Sequence, residues 1–555
     1  MLAIDVMLSQ LVRDGFTTIF GNPGTFEQAL IERLKHFPRL QYVMCLHEAV
    51  VVGAAIGYAR VANKPAFIQL HGSVGLGNAT GMLLEAKQAR IPLVVYVGEN
   101  AQYDEAFGGF LAFDLVQMAK AVCKETIRVT VPEQLQRQLR RAIQVASTPP
   151  FGPVLFDVPM DVLEHEIPDD GATATHIRLA GQFSPDVIRD VVGEIVAAKR
   201  ILIVVGDPVA WCDAQNSIRL LSHLVGAPVY GLGWTMGNAV YDDPLFQEPL
   251  THAFGKKNAE LLREADLLLV LGAPLAWEVI PDRMGYIDQN ARVIQVDTDP
   301  SEIGKNFHAD IALHADIRQF VEQVIQAIGL IESSEFRHRV TDNLAEASQR
   351  KRRSRTEREA RWNLNNGNIV NHPAEMIGAL ADCIGREDLI FEEAMTAQQF
   401  LRHSFPLSDP RLYFPVLSRT LGAGLSGAIG AKIASQSVRV VGISSDGAAL
   451  YVPQSLWTAA HQQLPILFVI LNNQSYRVLK VNLNDFRARI GSARSDFPFM
   501  DLSEPAIDFV KLAESFGVAA QRATTPVGVR IAIDALATES GPTLLDLQID
   551  GNLNY

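Results

Sequence analysis

The stretch VVGISSDGAALYVPQSLWTAAHQQLPILFVILNNQSY, residues 440–476, decides the reading of the chain. Residues 438–443 and 465–471 are apolar runs of strand length, and the segment between them is long enough for one crossover helix. Strands joined by a right-handed crossover lie side by side, so the residues leaving their carboxyl ends emerge together at one edge of a parallel sheet. Those residues are Asp446 and Asn473. A carboxylate, an amide oxygen and the backbone carbonyl of Ser475 make an all-oxygen set with positions left for phosphate oxygens and water, which suits Mg²⁺ better than zinc. Gly447 lets the turn approach a diphosphate closely. Singly, Asp446 is an ordinary turn residue and Asn472 and Asn473 an ordinary loop; their pairing across a βαβ unit carries the chemistry.

The same alternation runs outward from this stretch. Residues 41–46, 65–70, 91–97 and 152–159 read as strands separated by helices, and the polar segment 169–186 sets a boundary near 160–185. Strands at 201–205, 266–271 and 292–297 form a second set, and a charged segment after Gly329 leads to a third set from about residue 372. The expected fold class is α/β, with three doubly wound parallel-sheet domains at 1–165, 184–330 and 372–555 and a linker at 331–371. The run QRKRRSRTEREAR at 349–361 carries both charge signs and reads as a solvated linker helix rather than a nucleic-acid patch.

Composition agrees with this organisation. The 555 residues predict three or four domains at about 150 residues each. Hydrophobic residues at 48% and charged residues at 20% exclude disordered, collagenous and disulfide-scaffold classes. The net charge of −13 argues against a basic nucleic-acid or membrane surface, so neither is expected as a partner. Cys45, Cys123, Cys212 and Cys383 are too scattered for a metal knuckle or a disulfide framework, which points to a reducing compartment. No apolar run reaches the roughly 18 to 20 residues of a spanning helix, and the start MLAIDVMLSQ lacks a basic region; a cytoplasmic location is expected.

The quoted stretch resembles the cofactor motif of thiamine-diphosphate-dependent enzymes, Gly-Asp-Gly, a crossover and Asn-Asn, with Ser445 standing at the first glycine. The resemblance covers the whole chain and is strongest toward the benzoylformate decarboxylase branch. It implies pyrimidine-binding, central and diphosphate-binding domains, with thiamine diphosphate and Mg²⁺ as cofactors. Asp446, Asn473 and Ser475 are the implied metal ligands, with Gly447, Ala448 and Tyr476 beside the diphosphate. YVMCLHEAVVVGAAIGYA at 42–59 places Glu48 where the family sets a glutamate against the aminopyrimidine ring. Between a strand and an apolar helix its carboxylate is expected to be largely desolvated, and sharing a proton with the ring activates the cofactor.

Further segments carry the resemblance. FGNPGT at 20–25 is similar to a loop that gives Asn22 and Pro23 to the cofactor and Thr25, where the family has a serine, to the substrate carboxylate. HGSVGLGNATG at 71–81 resembles the loop of a catalytic histidine, here His71, and adds Asn78 to the cofactor set. EEAMTAQQF at 392–400 places Met395 and Thr396 at the diphosphate. SRTLGAG at 418–424 places Leu421 under the bent cofactor and the carbonyl of Arg419 against its amino group.

Two departures bear on the reaction. The family's second catalytic histidine, expected shortly after LGAP at 271–274, is absent: the chain reads Trp277, Glu278 and Val279. Arg477 and Lys480 occupy the region lining the substrate pocket, either to recognise a second anionic group or to face solvent. The middle unit, with VDTDP at 296–300, resembles a domain that sometimes binds a nucleotide, and nothing in it requires one.

The implied activity is non-oxidative decarboxylation of a 2-oxo acid to an aldehyde and CO₂. The implied assembly is a homo-oligomer, usually a homotetramer built from dimers with sites at the interface. A carboligase or lyase is the main alternative, made serious by the missing histidine. A nicotinamide-dependent oxidoreductase is the rival class, because GAGLSG at 422–427 fits GxGxxG with Asp446 about 20 residues on. Against it, RLYFPVLSRT at 411–420 interrupts the strand that should deliver the glycines. A non-catalytic homologue is the third possibility, opposed by the presence of both the metal set and Glu48.

Overall fold

The computed structural model describes residues 1–553 apart from 180, 234–236, 238, 253–254, 283–284, 365–370 and 417–419. Three parallel sheets follow one another along the chain. The first comprises β1 (Thr18–Gly21), β2 (Gln41–Met44), β3 (Ala66–His71), β4 (Leu93–Glu99), β5 (Glu125–Arg128) and β6 (Pro153–Pro159), in the order β2-β1-β3-β4-β6-β5. The second comprises β7 (Ile201–Val205), β8 (Val229–Gly231), β9 (Leu267–Leu271), β10 (Arg292–Asp297) and β11 (Ile311–His314), in the order β11-β10-β9-β7-β8. The third comprises β12 (Leu389–Glu393), β13 (Tyr413–Pro415), β14 (Val440–Ser445), β15 (Ile466–Asn472), β16 (Ala519–Ala523) and β17 (Thr543–Gln548), in the order β13-β12-β14-β15-β17-β16. The first and third sheets therefore share one topology. Their central strands are buried apolar runs, as sheets covered by helices on both faces require.

The outer domains are joined through two helices of small residues. The helix Glu48–Ala62 is capped at its start by His47, whose side chain accepts from Ala49 N, and closed by Asn63 at φ 49°. It packs against the helix Ala423–Ala434 so closely that a Cβ on Gly57 would stand 1.9 Å from the carbonyl oxygen of Gly427. One on Gly430 would stand 1.8 Å from that of Ala54. Apolar residues of both domains form one continuous core around this crossing.

Three local expectations change. The glycine-rich segment after His71 is not a loop: β3 passes directly into the helix Gly72–Gln88, whose Gly75 leaves room for the Glu48 side chain. The GAGLSG segment does not follow its strand in a tight turn, because β13 ends at Pro415 and the helix opens only at Ala423. Its Gly424 and Gly427 instead make room for Glu393 and Phe391, so the dinucleotide reading loses its structural context. Finally, the charged segment after 331 forms a long helix, Ser334–Leu364, that is tied to its neighbours rather than merely solvated. Lys351 donates to the carbonyls of Tyr241 and Asp243, and Arg350 and Arg358 pair with Glu264 and Glu248. No helix among the described residues is long and apolar enough to cross a membrane.

Candidate active site

The carboxyl ends of β14 and β15 deliver Asp446 and Asn473 to adjacent positions. Asp446 opens the one-turn helix Asp446–Ala449 directly after β14. One of its oxygens accepts from Gly447 N at 2.8 Å and the other from Asn473 N at 3.2 Å. Asn473 Oδ1 accepts from Ser475 N at 2.9 Å, which folds the loop back toward the aspartate. Asn472 takes a structural part instead, donating to Asp546 at 2.9 Å. Asp446 is 3% exposed, and burial pushes its carboxyl up to about 6 against the surrounding backbone N–H groups.

These residues open onto a cleft whose enclosed part is only about 50 Å³. Met395, Thr396, Leu421, Gly447, Ala448 and Tyr476 stand in its wall. Met395 is held at φ 52°, a conformation that side-chain-bearing residues rarely adopt. A Cβ on Gly447 would lie 2.8 Å from the Tyr476 ring, so glycine is required for the ring to close against the turn. A buried carboxylate, an amide oxygen and the oxygens of Ser475 are a hard donor set, and this set fits a divalent cation carrying a diphosphate. Arg477 also lines the cleft, with Nε donating to the carbonyl of Asn552 at 3.0 Å. Lys480 pairs with Asp501 and lies over the Phe497 ring, and it does not stand in the cleft wall. Arg419 lies outside the described residues.

A second constellation forms at the carboxyl edge of the first sheet. Glu48 is 5% exposed, and its two oxygens accept from the side-chain amides of Asn22 at 3.1 Å and Asn78 at 3.0 Å. Asn22 is fixed in turn by Gln69, which donates to its carbonyl at 2.9 Å. Pro23 and Thr25 are exposed on the same loop, and Thr25 opens a short turn ending at Glu27. His71 Nδ1 lies 3.0 Å from Glu27 Oε2, with the Phe26 ring stacked on the imidazole at 5.2 Å. The Glu27 hydrogen bond raises the His71 pKa, while burial raises that of Glu27.

Glu27 and Gln69 are absent from the residues the sequence singles out. Glu27 carried one usable signal, an acid two positions beyond Thr25 in the same loop. The replaced histidine region lies elsewhere: Trp277 and Val279 line a larger cavity of about 900 Å³ between the first and central domains. Glu278 is buried there against Asn258 and Tyr286.

Fold and site together define a three-domain α/β protein with a cleft at the carboxyl edge of its third sheet and a buried, oriented glutamate on its first. The chain belongs to the thiamine pyrophosphate enzymes: residues 1–118, 188–324 and 394–547 match the N-terminal TPP-binding, central and C-terminal TPP-binding domains of that family. It is 28% identical to benzoylformate decarboxylase of Pseudomonas aeruginosa over 550 residues, covering 97% of each chain. It is 25% identical to the large subunit of acetolactate synthase isozyme 1 of Escherichia coli, covering 97% of this chain and 92% of that one. The solved thiamine diphosphate-dependent 4-hydroxybenzoylformate decarboxylase of Rhodococcus jostii RHA1 superposes with a TM-score of 0.86 at 26% identity, covering 99% of each chain.

Proposed function

We propose that the protein is a thiamine-diphosphate- and Mg²⁺-dependent decarboxylase that splits a 2-oxo acid into an aldehyde and CO₂. The observation that carries this reading is the buried Asp446 carboxylate beside Asn473, at a cleft whose wall also holds Gly447 and Tyr476. The choice of reaction is supported by the decarboxylases among the relatives, which match along nearly the whole chain, as the acetolactate synthase also does. Asp446, Asn473 and Ser475 would hold the metal, Met395, Thr396, Gly447, Ala448 and Tyr476 would line the diphosphate, and Leu421 would pack against the cofactor.

Bound thiamine diphosphate would supply a nucleophilic carbon and an electron sink for the loss of CO₂. Glu48, oriented by Asn22 and Asn78, exchanges a proton with the aminopyrimidine ring. Thr25 and His71 hold the substrate carboxylate. His71, fixed at Nδ1 by Glu27, keeps Nε2 for returning a proton to the product carbon. Arg477, in the cleft wall, meets a further anionic group of the substrate.

We propose, as the resemblance implies, that a second copy of the chain completes the working site. The cleft at Asp446 is lined by residues of the third domain alone, and 50 Å³ encloses only part of a ligand of this size. The resemblance to the thiamine-diphosphate enzymes supports a partner subunit bringing its own Glu48 to this cleft, in a homotetramer built from such dimers. The four cysteines are free, which suits the cytoplasm.

A carboligase is the second reading, favoured by the absence of the family's second histidine after LGAP, where the chain reads Trp277, Glu278 and Val279. Product analysis of the loaded protein with a 2-oxo acid, with and without an aldehyde acceptor, separates the two. Free aldehyde and CO₂ in equal amounts are expected. Acyloin as sole product replaces the decarboxylase with a carboligase.

A further inference from the structure

The Asn22 amide that reaches Glu48 is the last link of a longer chain of hydrogen bonds. Tyr42 Oη donates to Gln69 Oε1 at 2.6 Å, Gln69 Nε2 donates to the carbonyl of Asn22 at 2.9 Å, and Asn22 Nδ2 donates to Glu48 Oε1 at 3.1 Å. The chain has one direction. A backbone carbonyl only accepts, so the Asn22 carbonyl fixes which end of the Gln69 amide faces it, and the amide oxygen left over takes its hydrogen bond from Tyr42.

Three adjacent strands build this chain, and β1 is the one it crosses. Gly21 stands opposite Gln69 on β3, and Tyr42 comes from β2 on the other side. A Cβ on Gly21 would run into both Gln69 Oε1 and Tyr42 Oη, so the bond between them passes over a bare stretch of β1. Gln69 is 0% exposed and Tyr42 half-buried, and burial raises the Tyr42 pKa, which keeps the phenol proton in place to donate. Neither residue stands in the wall of the cleft at Asp446.

A buried amide bonded at both ends is a stiff link, because breaking either bond strands a buried donor or acceptor. A carboxylate that has to meet one ring nitrogen must be held within a fraction of an ångström, and it is held only as well as the residues behind it allow. We propose that Tyr42 and Gln69 are positioning residues for Glu48: acting through Asn22, they set where its carboxylate stands and thereby how fast it exchanges a proton with the aminopyrimidine ring. The proposal rests on the thiamine-diphosphate reading of Glu48.

The test measures deuterium exchange at C2 of thiamine diphosphate bound to the full-length protein with Mg²⁺, by rapid quench and ¹H NMR, beside calorimetric affinity for the cofactor. Gln69→Met keeps a similar side-chain length and loses both bonds, and it is expected to slow exchange about tenfold while leaving cofactor affinity unchanged. Tyr42→Phe removes one bond and is expected to slow exchange about threefold. Because Tyr42 acts through Gln69, Tyr42→Phe is expected to add nothing in the Gln69→Met background. A crystal structure of cofactor-free Gln69→Met is expected to show the Asn22 amide turned away from Glu48 Oε1. Exchange at the wild-type rate in Gln69→Met overturns the proposal, as does an Asn22 amide that stays on Glu48 in that structure. Effects that multiply in the double variant, or a loss of affinity as large as the loss of rate, mark a general disturbance of the domain and overturn it too. If Gln69→Met does not fold, unchanged exchange in Tyr42→Phe is decisive against the chain. Failure of the thiamine-diphosphate reading looks different: the wild-type protein itself then neither binds the cofactor nor accelerates its exchange, and both readings fall together.

Discussion

Glu27 Oε2 lies 3.0 Å from Nδ1 of His71, joining a loop after β1 to the end of β3 beneath the stacked Phe26 ring. The pair fixes the tautomer and orientation of the histidine, since one ring nitrogen is committed to the carboxylate. His71 is raised by this bond, so the imidazolium persists to higher pH than in a free histidine. Its stabilising contribution is fully present below the unfolded pKa of about 6.5 and is lost as pH rises through the folded value. Glu27→Gln is expected to bring the His71 titration back toward the ordinary range. A ¹³C-histidine NMR titration checks it, and an unmoved midpoint removes Glu27 from the positioning role.

Close approach of two backbones makes a sharper stability prediction. A methyl at Gly57 or Gly430 has a carbonyl oxygen of the opposing helix within 2 Å, and backbone cannot step aside as a side chain does. Gly57→Ala and Gly430→Ala are each expected to lower stability by about 3 kcal/mol or more, at the upper end of overpacking costs. Gly193→Ala, where nothing stands within 4 Å, is the control and is expected to be near neutral or stabilising. Denaturant unfolding at matched protein concentration distinguishes them.

Glu393 gives a pH dependence of opposite origin. Burial pushes its pKa up to about 8, although it accepts from Gly422 N and Gly424 N. The folded state therefore holds a proton that the unfolded state releases near its ordinary pKa. Stability falls with rising pH across that window, because the native state binds more protons. Glu393→Gln removes this term, and its stability is expected to vary less than wild type between about pH 5 and 8. Parallel slopes in denaturant titrations at several pH values would refute the assignment.

How legible this was in the sequence differs from site to site. Asp446 and Asn473 could be placed because strand, turn and crossover are local patterns, and β14 and β15 pair as neighbours from Val440↔Ile466 to Ser445↔Leu471. Glu48 could be singled out for a similar reason, at the junction of an apolar strand and helix. Its orientation by Asn22 and Asn78 could not, since that depends on β1, β2 and β3 lying adjacent. The Glu27–His71 pair spans 44 residues and leaves no periodic trace. Glycines after His71 suggested a loop, but they sit in a helix where tertiary packing demands small residues, as Gly75 against Glu48 shows. The helix Ser334–Leu364 hid its attachments because its cations bind carbonyls and acids of the central domain, 108 and 110 residues earlier for the two carbonyls.

The proposed sharing of each site between two subunits predicts complementation between defective chains. Glu48→Gln and Asp446→Ala homo-oligomers are each expected to lose most activity. Mixed, partly dissociated and reassembled, they are expected to regain it in hybrids whose one site carries both lesions and whose other carries neither. Decarboxylation assays of the mixture against each variant alone check this; no recovery despite demonstrated subunit exchange would place Glu48 and Asp446 of one chain in the same site.

The central claim is that Asp446, Asn473 and Ser475 form a metal-dependent seat for thiamine diphosphate. Calorimetric titration of the metal-stripped, folded protein with thiamine diphosphate, with and without Mg²⁺, tests it most directly. Saturable binding that requires Mg²⁺ and disappears in Asp446→Ala is the predicted result. Binding of equal strength without the metal, or no binding to the folded oligomer, would contradict it.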